Sequence, residues 1–111
     1  LARELKANVP LANPDAYIPR FCSMLGLGFD VQKEALEIIS NIGEMAMVSR
    51  GPTGIAGAAI YLSAKRHSNE RTQSDVAKVA GVTEVTIRNR YKELCETLRY
   101  DYNDPKKSVK D

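Results

Sequence analysis

Tryptophan is absent from this 111-residue chain, histidine occurs once and cysteine only twice. The single His67 has no cysteine or acid cluster at ligand spacing, which argues against a histidine-built metal centre. It reads as a solvated or phosphate-facing side chain. Cys22 and Cys95 stand far apart, without metal spacing, and are expected to be reduced thiols of the core or its boundary rather than a disulfide. No apolar run approaches the roughly 20 residues of a membrane span, and no signal-peptide pattern opens the chain. A carboxylate pair beside a histidine, a nucleophile motif and a glycine-rich phosphate loop are all missing, so the inventory of catalytic parts argues against an enzyme. The first residue is Leu1, not Met, so a longer parent protein is expected.

What remains is ordinary globular material, 43% hydrophobic and 27% charged, enough for one domain with a real core. The net charge of +2 is unevenly spread. Residues 1–62 carry five basic and six acidic side chains, whereas residues 63–94 carry seven basic against four acidic. A charge excess of this size is weak support for a nucleic-acid partner.

The periodicity predicts five helices and no strand. Residues 1–12 read as the end of a preceding helix or a linker. Asn13 and Pro14 have the chemistry of a helix start, and Tyr17, Phe21 and Leu25 recur every four residues up to a break at Gly26 and Gly28. Asp30 is the expected cap of a second helix, whose apolar row runs from Val31 through Ile42 to Met45 and Ala46, ending near Ser49. Thr53 is the expected cap of GIAGAAIYLSAK. That segment has no polar face, so it should be a buried central helix. Gly57 costs it about 1 kcal/mol of helix propensity, a cost that close packing would justify. Thr72 and Thr83 are the expected caps of the fourth and fifth helices, with Asp75 three residues after the first. Residues 99–111 lose apolar periodicity and read as a flexible C-terminal tail. The ordered domain is therefore placed at 13–98.

The stretch TQSDVAKVAGVTEVTIRNRYKEL, within 72–98, has the layout of a helix-turn-helix. Ala77 lies four residues before Gly81, and Val76, Ala80, Val82 and Ile87 supply apolar contacts. Arg90 occupies a position that is often apolar, and Tyr91 is expected to take the packing role. On the last helix Ile87, Tyr91, Leu94 and Leu98 form the inner stripe. At about 100° per residue, Val85 lies about 200° from Ile87, on the outer side, with Arg88 one turn along. There Val85 can press on a thymine methyl and Arg88 can reach guanine O6 and N7 in a major groove. Thr72, Thr83 and Thr86 could offer hydroxyls and amides to phosphates. Lys65, Arg66, Arg71, Arg90 and Lys92 would hold the backbone without reading sequence. The plainer alternative is a solvated face, with Arg88 and Lys92 paired to Glu84 and Glu93.

Three blocks, YIPRFCSMLGL, RGPTGIAGAAIYLSAK and RTQSDVAKVAGVTEVTIRNRYKEL, resemble the second cyclin-like repeat of the transcription initiation factor B family, archaeal TFB and eukaryotic TFIIB. TEVTIRNRYKEL looks more archaeal than eukaryotic. The resemblance covers about residues 13–98; Gly57 departs from it by interrupting an alanine run. It implies an all-α, five-helix cyclin-like fold with a buried third helix and a C-terminal helix-turn-helix. It also implies binding to double-stranded promoter DNA beside the TATA box, at the B recognition element, with Val85 and Arg88 as the base readers. Implied partners are TATA-binding protein and RNA polymerase, and no membrane; a monomer is expected. An archaeal member would act in the cytoplasm at the nucleoid, a eukaryotic one in the nucleus. No cofactor is implied within this chain, the family's zinc ribbon lying in an amino-terminal region outside it. Two alternatives stay open: a cyclin-type protein-interaction module that has lost DNA reading, and the related factor of RNA polymerase III.

Overall fold

The computed structural model describes residues 14–42 and 51–107. The readings of 1–12 as a linker and of 43–49 as the end of the second helix lie outside these. Five α-helices follow a 3-10 turn at Pro14–Tyr17: α1 Ile18–Leu25, α2 Phe29–Ile42, α3 Pro52–Arg66, α4 Gln73–Ala80 and α5 Glu84–Leu98. No strand occurs among the described residues, so the all-α, cyclin-like expectation holds.

Three helix starts differ from expectation. The first helix is not continuous from Pro14: a 3-10 turn precedes α1, with Tyr17 at its N-cap. Pro19 explains the break, because it has no N–H to give the carbonyl four residues back. Asp30 is not a cap, since α2 already begins at Phe29, but it lies in the first turn, where a negative charge suits the helix dipole. Thr53 is not a cap either. Pro52 takes the first helical position and Gly51 the N-cap, without any side-chain hydrogen bond. Thr72 and Thr83 do cap as expected, their hydroxyls accepting from the amides of Asp75 and Thr86.

Every residue of α3 from Gly54 to Ala64 is buried. The other four helices and the 3-10 turn all pack on it, as a helix without a polar face requires. The fully buried Ser63 hydroxyl donates to the Val31 carbonyl of α2 at 2.8 Å, so this polar group is not stranded. α2 turns Val31, Ala35, Ile38, Ile39 and Ile42 inward, and Phe21 of α1 stacks on Tyr17 with ring centroids 5.5 Å apart. Cys22 and Cys95 are both free and buried. Burial pushes the Cys22 thiol up to about 11, which makes it a poor nucleophile at neutral pH.

Gly57 marks the closest approach in the fold. A Cβ placed there would lie 2.8 Å from Ile87 Cδ1, 3.2 Å from Ala80 Cβ and 3.3 Å from Val76 Cγ1. Both helices of the helix-turn-helix therefore touch the central helix at this one hydrogen atom's worth of space. The expectation that packing justifies this glycine is met by these three contacts.

The segment after α5 is not a loose tail as far as Lys107. Arg99 ends α5 in the left-handed conformation, with its N–H on the Cys95 carbonyl. Beyond it the chain folds back: the Tyr91 hydroxyl donates to the Tyr102 carbonyl at 2.5 Å, and Pro105 is buried. Arg66 lies over the Tyr100 ring, 4.3 Å from its centroid, and its Nε donates to the Pro105 carbonyl at 3.3 Å. These are single tertiary contacts with no repeat, which is why periodicity carries no trace of them.

Candidate nucleic-acid interface

Gly81 makes the corner between α4 and α5. It sits at φ 74°, in the left-handed region that favours glycine. Its amide and that of Val82 both close on the Ala77 carbonyl, at 2.8 and 3.0 Å, which satisfies the end of α4. Thr83 then caps α5, and its hydroxyl also lies 3.0 Å from that of Thr86. The corner is short and fully hydrogen-bonded, so α5 leaves it at a fixed angle.

Packing sets the rotation of α5. Ile87, Tyr91, Leu94 and Cys95 are buried, and Tyr91 meets Tyr61 of α3 edge-on at 5.0 Å between centroids. Tyr91 thus takes the packing role that the sequence assigned it in place of Arg90. The opposite side faces outward: Val85 is 51% exposed, and Arg88, Asn89 and Lys92 are exposed beside it. None of these three polar side chains has a hydrogen bond or ion pair to another described residue. The plainer reading, in which Glu84 and Glu93 neutralise Arg88 and Lys92, does not describe this face, because Glu93 is taken by Arg90 at 2.7 Å.

Four other cations, Lys65, Arg66, Arg71 and Arg90, are held by partners within the fold, while Lys78 on α4 is exposed. Arg71 donates to the carbonyls of Leu25 and Gly26, at 3.0 and 3.4 Å, and to Asn69 Oδ1 at 3.0 Å, tying the end of α1 to the start of α4. Arg66 pairs with Glu34 at 2.7 Å and stacks on Tyr100. Lys65 pairs with Glu70 at 3.0 Å and lies 5.4 Å from the Tyr61 ring centroid. Burial lowers the affinity of Lys65 for its proton, but the Glu70 hydrogen bond and the charges of Tyr61, Glu70 and Tyr102 outweigh it and raise it overall. Lys65, Arg66 and Arg71 each therefore have partners within the fold, with which the phosphate contacts expected of them would compete. His67 is likewise held, with Nε2 2.8 Å from Glu34 Oε1. Arg90 is half-buried against Gly54, with its terminal nitrogen on Glu93. The sequence could not announce these pairings, because Glu34 is 32 residues from Arg66 and no local spacing links them.

Thr86, Asn89 and Arg90 form one wall of an open cleft of about 380 Å³, and Gly51, Thr53 and Gly54 at the start of α3 form the other. Among the described residues no acidic side chain lines it. Asn89 belongs to this outward surface as well, though the sequence reading passed it over. Its exposure opposite Ile87 was available from the same 100° arithmetic.

With five helices around a buried third and a helix-turn-helix at the end, the chain was compared with known proteins. The family model for the transcription factor TFIIB repeat matches residues 7–97. The chain belongs to that family. Its similarity to full-length TFIIB relatives is also high. It is 54% identical over 99 residues to transcription initiation factor IIB of Archaeoglobus fulgidus, an overlap that covers 88% of this chain and 30% of that protein. It is 53% identical over 102 residues to transcription initiation factor IIB of Methanocaldococcus jannaschii, covering 91% of this chain and 15% of that protein. The factor of Methanothrix thermoacetophila is 52% identical over 102 residues. This TFIIB repeat thus spans about a third or less of the relatives it matches.

Proposed function

We propose that this repeat is a promoter-binding module of a general transcription initiation factor. In this reading α5 lies in the major groove beside the TATA box. Val85 and Arg88 read base edges, Lys92 pairs with phosphate, and the capped start of α5 at Thr83 and Thr86 approaches the backbone. TATA-binding protein on bent DNA and RNA polymerase are the further partners. The observation that carries the reading is the outer row of α5, where an exposed valine and two cations without a partner among the described residues stand on a helix whose other side is locked into the core. Arg and Lys supply positive charge and donors, and Val supplies a methyl-sized apolar contact, which is the chemistry of a major-groove edge.

Alone, the repeat is expected to bind DNA weakly, since linked modules gain effective concentration that one module forfeits. A salt series tests this. With TATA-binding protein present, the affinity of the repeat for a TATA-flanking duplex should fall linearly on a log–log plot against salt. Lys92→Ala should reduce the slope by about one and weaken all sequences equally. Binding that ignores salt would contradict the reading. A protein-interaction role draws support from a different place, the corner between α1 and α2, where Met24 is 61% and Phe29 71% exposed. If DNA binding fails, that corner is the surface to examine.

A further inference from the structure

We infer that Asn89 is a third base-reading residue of this repeat, and that it selects adenine; the inference rests on the groove-binding reading of α5. Four exposed side chains make up the first part of the outer row, Val85, Arg88, Asn89 and Lys92, and the acidic Glu96 follows one turn beyond Lys92. Their hydrogen-bonding capacities differ. Val85 has none, and Arg88 and Lys92 can only donate. Asn89 alone in the row carries a donor and an acceptor on one planar group. Adenine presents an acceptor at N7 and a donor at N6 on its major-groove edge, and an asparagine amide matches that pair bidentately.

The placement is as specific as the chemistry. Asn89 follows Ile87 by two residues, about 200° round the helix, and follows Val85 by one turn, about 40°. Since Ile87 is fully buried against α3, Asn89 projects almost directly away from the core, more nearly so than Arg88. It stands about 6 Å along the axis from Val85, from 1.5 Å per residue. Base pairs are spaced about 3.4 Å along the duplex, so Asn89 falls one or two pairs from the pair under Val85. Its amide makes no hydrogen bond to any described residue, so no internal partner must be given up. The competing assignment is a phosphate contact, because Asn89 also borders the cleft at the start of α3. A phosphate accepts but cannot donate, and would leave the amide oxygen unused.

The test uses the chain with TATA-binding protein and a pool of duplexes carrying a TATA box beside ten randomised base pairs. Binding should enrich adenine at one position, one or two pairs from a selected thymine. Asn89→Ala should lose that enrichment about tenfold and keep the thymine and guanine preferences. The side chain is exposed and alanine is a stronger helix former, so folding is not at risk. Uniform weakening on every duplex would assign Asn89 to phosphate and overturn the inference, as would an unchanged pool. Arg88→Ala in parallel separates the levels. If it removes the guanine preference while Asn89→Ala changes nothing, the groove reading stands and only the asparagine's role falls. If neither variant alters the pool, both fall.

Discussion

Gly57→Leu is expected to cost this repeat about 3 kcal/mol or more, the upper range for overpacking a filled core. The cost follows from the three contacts a first side-chain carbon would already make, at 2.8, 3.2 and 3.3 Å. Two of them come from α4 and one from α5, so the strain cannot be relieved by moving one rotamer. Ile87 is fully buried and has nowhere to swing. Either the helix-turn-helix lifts from α3 or α3 is displaced among all its neighbours. Gly57→Ala is a sharper comparison. It recovers about 1 kcal/mol of helix propensity but sets a methyl against the Ile87 methyl, so the two effects nearly offset and the variant should be only slightly destabilised. Chemical denaturation of the two variants and the parent measures both. A leucine variant as stable as the parent would mean that the approach of α5 to α3 is looser than described.

Arg88→Ala is expected to leave stability unchanged and to remove most base selectivity at one pair. The side chain is exposed and unpaired among the described residues, so nothing in the fold depends on it. A bidentate contact to guanine is worth roughly 1–3 kcal/mol of discrimination, or about five- to 150-fold in relative affinity. Binding to the preferred duplex should drop by that factor while binding to scrambled duplexes falls much less, by the share that one positive charge contributes. Competition binding with TATA-binding protein present reads both numbers. Equal losses on the two duplexes would make Arg88 a phosphate contact.

These two residues also show what the sequence could and could not reveal. Gly57 was visible as a defect in a helix with no polar face, and Val85 as an apolar residue about 200° from Ile87; both follow from helix periodicity, which a single sequence displays. The cap at Thr83 was local and legible too. Thr53 is not a cap, because Pro52 beside it is better suited to the first helical position and Gly51 becomes the N-cap. Lys65, Arg66 and Arg71 looked free because their partners are either distant or carry no pattern. Glu34 is 32 residues from Arg66, and the carbonyls that hold Arg71 are backbone groups of Leu25 and Gly26. The segment from Arg99 to Lys107 failed for a related reason. Its order comes from Tyr100, Tyr102 and Pro105 docking on Arg66 and Tyr91, and isolated contacts of that kind leave no period to read. The resulting interface is narrower than the charge distribution of residues 63–94 suggests: Lys65, Arg66, Arg71 and Arg90 are held by partners within the fold, and the outward-facing cations of that stretch are Arg88 and Lys92 on α5 and Lys78 on α4.

The direct test of that row is methylation interference on the pairs flanking a TATA box, with TATA-binding protein and the repeat bound together. Methylation of guanine N7 marks the major groove and that of adenine N3 the minor groove. The arrangement of α5 calls for a small set of flanking guanines whose N7 methylation blocks the repeat, and for at least one of these blocks to vanish in Arg88→Ala. Interference confined to adenine N3 in the flank would put α5 outside the major groove, and a guanine pattern that Arg88→Ala leaves intact would remove Arg88 as the reader of guanine.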